Sequence, residues 1–189
     1  MASAYCTKLA KIAEEQHTKF QLIQETDEPL FSQIKLYWKG IAPFPGVGTA
    51  WSAVFVSFCV KQAGATAAEF EFAQGHARFV HKAIDNAKKG IGVFRGVDVT
   101  TAKPEVGDII QNNRGGNKFD FNFAAANTQY DSHSAIVVET GTDTLGRFAR
   151  TIGGNEHDSI RRVRVPLTAA GTIQQRTLNP YISVIKTLK

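Results

Sequence analysis

The chain has 189 residues, 43% of them hydrophobic, and a formal net charge of +5. That length and balance suit a single globular domain with a sizeable core and exclude a disordered or low-complexity chain. No stretch approaches the length of a membrane span. The N-terminus lacks the continuous apolar run of a secretory signal, so a target outside the cytoplasm would need another delivery route.

In chain order, residues 4–20 predict a first helix, with Tyr5, Leu9, Ile12, Ala13 and Phe20 near one face. Asp27-Glu28-Pro29 starts a second, which runs to about Trp38. Tyr37 and Trp38 close it as core, or as part of a substrate wall. A Gly/Pro-rich loop over 40–48 delivers the chain to Thr49-Ala50-Trp51-Ser52-Ala53-Val54-Phe55-Val56-Ser57-Phe58-Cys59. This reads as an amphipathic helix ending at Gly64, with Thr49 as N-cap and Ser52 about three residues in, near the positive end of the macrodipole. A fourth helix over 74–89 turns His76 inward, towards core or cleft, with Val80, Ala83, Ile84 and Ala87.

After residue 90 short β-branched runs take over: 97–100, 107–111, 134–139, 147–152, 159–165 and 181–186. Helices first and strands second is an α+β pattern. Residues 141–146 read as a hairpin turn that folds Asn155 back towards His133. The long stretch 112–130, in which Phe119, Phe121 and Phe123 alternate with polar residues, reads as a flap, an extra hairpin or a core strand. The two cysteines, Cys6 and Cys59, show no metal-site spacing; Cys59 reads as a buried small hydrophobe, and a Cys6–Cys59 disulfide stays open.

Four segments carry a resemblance. Trp51-Ser52-Ala53-Val54-Phe55-Val56-Ser57-Phe58 resembles the Trp-Cys-Ala-Ala-Phe-Val-Ser-Trp segment of CHAP and NlpC/P60-type peptidoglycan hydrolases. Lys103-Pro104-Glu105-Val106-Gly107-Asp108-Ile109-Ile110 is similar to their Lys-Pro-x-x-Gly-Asp-Leu run. His133-Ser134-Ala135-Ile136-Val137-Val138-Glu139 resembles their histidine strand, and Gly153-Gly154-Asn155 their glycine-asparagine turn. The matches fall in the right order over roughly residues 35–165. Serine stands where those enzymes carry cysteine, as in a Trp-Ser-Ala subgroup that Tyr37-Trp38 and His76 also resemble. The resemblance implies a papain-like α+β fold in one domain: helices and loop over 1–48, a catalytic-like core over 49–166, and a C-terminal strand and tail over 167–189. The sheet is expected to be small, antiparallel and partly closed.

The chemistry the resemblance implies is amide hydrolysis, with Ser52 as nucleophile, His133 as general base and Asn155 orienting the imidazole. Serine needs a neutral histidine, since a helix N-terminus alone does not make its hydroxyl a thiolate-like nucleophile. Asn155 cannot stabilise imidazolium, so Glu156 or Asp131 is expected to supply charge. Glu139 lies six residues along the strand, too far to do so. Trp51, His76 and Tyr37 are candidates for substrate contact or support. No cofactor or metal is implied. The expected partner is peptidoglycan or another anionic wall polymer, which suits the charge of +5. An injected antibacterial effector with a cognate inhibitor, or a phage lytic enzyme, would fit. Two other readings are a non-catalytic wall- or glycan-binding module and a serine esterase acting on lipid or small esters. Nucleic acid has no motif in its favour.

Overall fold

Two apolar faces run along the same strands, and each acquires its own cover. In the computed structural model, which describes residues 2–189, α1 (Ala4–Phe20), α2 (Leu30–Trp38), α3 (Ser52–Ala63) and α4 (His76–Lys89) precede the sheet. Then come β1 (Phe94–Asp98), β2 (Ile109–Asn113), α5 (Phe121–Ala126), β3 (Ser132–Asp143), β4 (Gly146–Glu156), β5 (Ser159–Pro166) and β6 (Tyr181–Thr187). The strands form one antiparallel sheet in the order β1-β6-β2-β3-β4-β5. It is open, with β1 and β5 as its edges, rather than partly closed. The class is α+β, as the pattern of helices and strands predicts.

Because side chains alternate along a strand, neighbouring residues serve opposite layers. Ile109, Ile136, Ile152 and Ile185 join the helices in the main core. Ile110, Val137, Ala149 and Val184 form a second apolar cluster on the outer face with Val99, Ala102 and Ile173. The segments carrying those last three therefore roof part of the outer face; the rest stays open as a cleft. On the inner face α1 and α3 pack together and against β3 and β4, while α4 lies against β1.

The Lys-Pro-x-x-Gly-Asp run is structural. Gly107 has φ +91, and a Cβ there would meet Cys6 at 2.5 Å. Buried Asp108 accepts the Thr187 and Glu105 N–H groups and the Lys186 ammonium, which joins the start of β2 to the end of β6. Both cysteines are free and buried, so no disulfide links them. Among the described residues no helix is long and apolar enough to cross a membrane.

Two local expectations change. Thr49 is not the cap: α3 begins at Ser52, with Trp51 in the N-cap position and no side chain capping it. The 112–130 stretch adds neither a hairpin nor a strand after β2, because α5 forms within it. The Asp120 carboxylate accepts the Phe123 N–H, which caps a short helix. Phe119 and Phe123, four apart, then stack at 4.2 Å, and Tyr130 closes edge-on against both.

Candidate active site

Ser52 is the first residue of α3 and His76 the first of α4. Their side chains meet in a 2.7 Å hydrogen bond between Ser52 Oγ and His76 Nε2. Both are buried, at 2% and 6% exposure. Burial holds the His76 imidazole well below its usual range, reinforced by His133 and Arg114, so it is neutral at neutral pH. Its other nitrogen, Nδ1, is buried without a partner among the described residues.

His133, at the start of β3, packs edge-on against His76 with ring centroids 5.4 Å apart. Its Nε2 lies 2.9 Å from the Glu156 carboxylate. Thus Ser52–His76 and His133–Glu156 form two hydrogen-bonded pairs whose imidazoles touch.

The expected role of Asn155 passes to Glu156, and the backbone explains why. The β3–β4 register pairs Ile136 with Ile152, which carries Asn155 across from His133 as the hairpin requires. However, β4 pairs Gly154 with Ile160 and Glu156 with Ser159, leaving Asn155 as an extra residue, a β-bulge. Asn155 takes a left-handed conformation, φ 56, one of the few a non-glycine residue adopts and favoured by Asn. The bulge reverses the alternation after it. The Asn155 amide donates to Glu25 at 2.9 Å, away from His133, and the Glu156 side chain arrives at the histidine instead. His157 and Asp158, both left-handed, then close the β4–β5 turn in the manner of a type I′ hairpin. Gly153 is required beside them, because a Cβ there would meet the Glu156 carboxylate and lie 2.8 Å from His133 Nε2.

Glu25 is a residue that the sequence reading missed. It is buried, and its two oxygens accept the Gly48 N–H, the Trp51 indole N–H at 2.7 Å and the Asn155 amide. It therefore clasps the loop before α3 to the bulge of β4. Only its isolation as an acid before Asp27-Glu28-Pro29 marks it in the sequence. Trp51, at 1% exposure, stacks on Tyr37 with ring centroids 5.8 Å apart. Tyr37 in turn donates to Gln16 at 2.7 Å. Both aromatics are inner packing behind Ser52, and neither lines the cleft. Asp131 is exposed and forms no hydrogen bond or ion pair with His133 among the described residues.

On the outer face a cleft of about 430 Å³ takes in His133 and Glu156, with Ile110, Ala135, Val163 and Val165 among its apolar lining. Ser52 and His76 lie behind it rather than in its lining. Among the described residues no group of three or more His, Cys, Asp or Glu side chains is arranged to hold a metal ion.

A bacterial family model described as an uncharacterized protein conserved in bacteria (DUF2272) matches residues 25–183. The chain belongs to this family. No curated protein and no solved structure matches it. In this DUF2272 chain the matched span runs from Glu25 past β4, so it holds the clasp, both hydrogen-bonded pairs and the cleft.

Proposed function

We propose that this protein is a serine hydrolase with a papain-like arrangement of the CHAP and NlpC/P60 kind, cleaving amide bonds in peptidoglycan peptides. The observation that carries the reading is the 2.7 Å bond from Ser52 Oγ to the Nε2 of a neutral, buried His76. His76 replaces His133 as the immediate proton acceptor. As Ser52 Oγ attacks the scissile carbonyl, its proton passes to His76 Nε2; His76 then returns it to the leaving amine, and water hydrolyses the acyl-serine. Two helix N-termini meet at this hydrogen bond, and their free N–H groups, that of Ser52 included, favour the oxyanion. The Glu156 carboxylate, acting through His133, offsets the positive charge that His76 acquires. Supporting the arrangement are a nucleophile helix packed on β3 and β4 and a histidine at the head of β3.

A wall polymer as substrate, with delivery by a secretion system or a phage and an inhibitory partner in the producing cell, belongs to the same reading. A second reading, a non-catalytic wall-binding module, draws on the 2% exposure of Ser52 and its position behind the cleft. Mass spectrometry of soluble products from purified sacculi decides between them, with Ser52→Ala and His76→Ala as controls. Fragments released by wild type and lost in both variants support the hydrolase. Saturable binding to sacculi without any fragments, unchanged by Ser52→Ala, supports the module.

A further inference from the structure

Arg114 and Arg176 line the same cleft as His133 and Glu156. Neither forms an ion pair among the described residues. The only carboxylate in the lining, Glu156, is engaged with His133. A cleft with two guanidinium groups that lack a carboxylate partner among the described residues, and one committed acid, is set up for an anion.

The two arginines sit on loops that are tied together. Arg114 follows the end of β2, and the Gly116 N–H two residues on donates to the Asn179 side-chain oxygen at 2.9 Å. Arg176 reaches the same turn from the other side: its Nε donates to the Asn179 carbonyl at 3.0 Å, and its guanidinium lies 4.4 Å above the Tyr181 ring. One edge of the fork is thereby used for positioning, and the outer nitrogens are left for a ligand. Arg114 stands close enough to the histidine pair for its charge to disfavour protonation of His76.

We propose that this cleft is a carboxylate-recognising subsite, in which Arg114 and Arg176 hold the free carboxylate of a peptide whose amide bond lies beside His133. The placement of the scissile bond rests on the hydrolase reading; the recognition of the carboxylate does not. A peptide is favoured over a phosphate by the remaining lining. Asn112 keeps its side-chain oxygen, and Asn179 its side-chain nitrogen, without a protein partner among the described residues, an acceptor and a donor that match backbone amides. Ile110, Ala135, Val163 and Val165 suit small apolar side chains, and the volume of about 430 Å³ suits a short peptide. Binding has an internal consequence. The carboxylate neutralises Arg114, which removes one of the influences that keep His76 a weak base.

The test is calorimetric titration of the full chain carrying Ser52→Ala, which prevents turnover. The ligands are N-acetyl-alanyl-alanine in L,L and D,D forms, the C-terminal amides of both, and inorganic phosphate. At least one free acid is expected to bind on the order of tenfold or more tightly than its amide. Arg114→Gln and Arg176→Gln, both at exposed positions, are each expected to lower the affinity of the acid about tenfold and leave that of the amide unchanged. Equal binding of acid and amide, binding of neither, or phosphate binding tighter than either acid overturns the proposal. Selective binding of the acid with no product from wild type on sacculi would sink the hydrolase reading and keep this one. Product release with no discrimination between acid and amide would do the reverse.

Discussion

Ser52 and His76 each open a helix, and their side chains join the two helix starts through one 2.7 Å hydrogen bond. The fields of α3 and α4 add at that point. They favour negative charge on Ser52 Oγ and oppose positive charge on His76. The pair is therefore built to hold a hydroxyl next to a neutral imidazole, and the cost of charging that imidazole falls on its neighbours. His133 and Glu156 are those neighbours.

Replacing His76 by Ala removes the only hydrogen-bond partner that the Ser52 hydroxyl has among the described residues. A loss of general-base assistance costs about 10²–10⁴ in rate, so kcat on released-peptide assays should fall by that range, with KM little changed. Retention of more than half of wild-type turnover would remove His76 from the chemistry.

Stability should depend on acid through the same residue. His76 has its folded pKa well below the unfolded value of about 6.5. As pH falls below about 6.5, the unfolded chain takes up a proton that the folded chain refuses, so stability is lost as pH drops. The slope approaches about 1.4 kcal/mol per pH unit until the folded pKa is reached. Urea unfolding between about pH 7 and pH 5 should show wild type losing more stability than His76→Gln. Parallel loss in the two proteins would mean that His76 is not the buried neutral group described.

Glu156→Gln keeps the shape and removes the charge beside His133. If the carboxylate offsets an imidazolium, kcat should fall about tenfold or more while Asn155→Ala, whose amide goes to Glu25 instead of His133, leaves the rate per folded molecule near wild type. The opposite ranking in steady-state kinetics would restore Asn155 as the orienting residue.

Glu25 accepts three donors with two oxygens, and an amide cannot do the same. Glu25→Gln turns a donor towards another donor, so it should destabilise almost as much as Glu25→Ala, by about 3 kcal/mol in urea unfolding. A fully tolerated Glu25→Gln would show that charge-blind packing holds the loop before α3.

Much of this arrangement was legible in the sequence. The helix of residues 4–20, the helix ending at Gly64 and the apolar strand after His133 follow from periodicity and caps, because local pattern and burial agree there. Ser52 and His133 could be singled out, and His76 could be turned inward. What stayed hidden depends on tertiary geometry. The Ser52–His76 bond exists because two helices separated by the 64–75 segment start at the same place. The Glu25 clasp spans 130 residues to Asn155. The alternation of Phe119, Phe121 and Phe123 left a flap, a hairpin or a core strand open, and Asp120 overrode the strand readings by capping a helix. The exchange between Asn155 and Glu156 required knowing that one residue of β4 has no partner on β5.

That unpartnered residue has a consequence for how the gene can vary. Around Asn155 a shorter chain and a changed side chain both act on Glu25 rather than on His133. Gly154 and Glu156 point to opposite faces, as adjacent residues of a strand without a bulge would, so deleting the Asn155 codon would leave the Glu156 carboxylate beside His133 and remove the amide that Glu25 accepts. Relatives that lack this extra residue should therefore keep the glutamate that faces the histidine and lose the acid at the position of Glu25, whose third donor is gone.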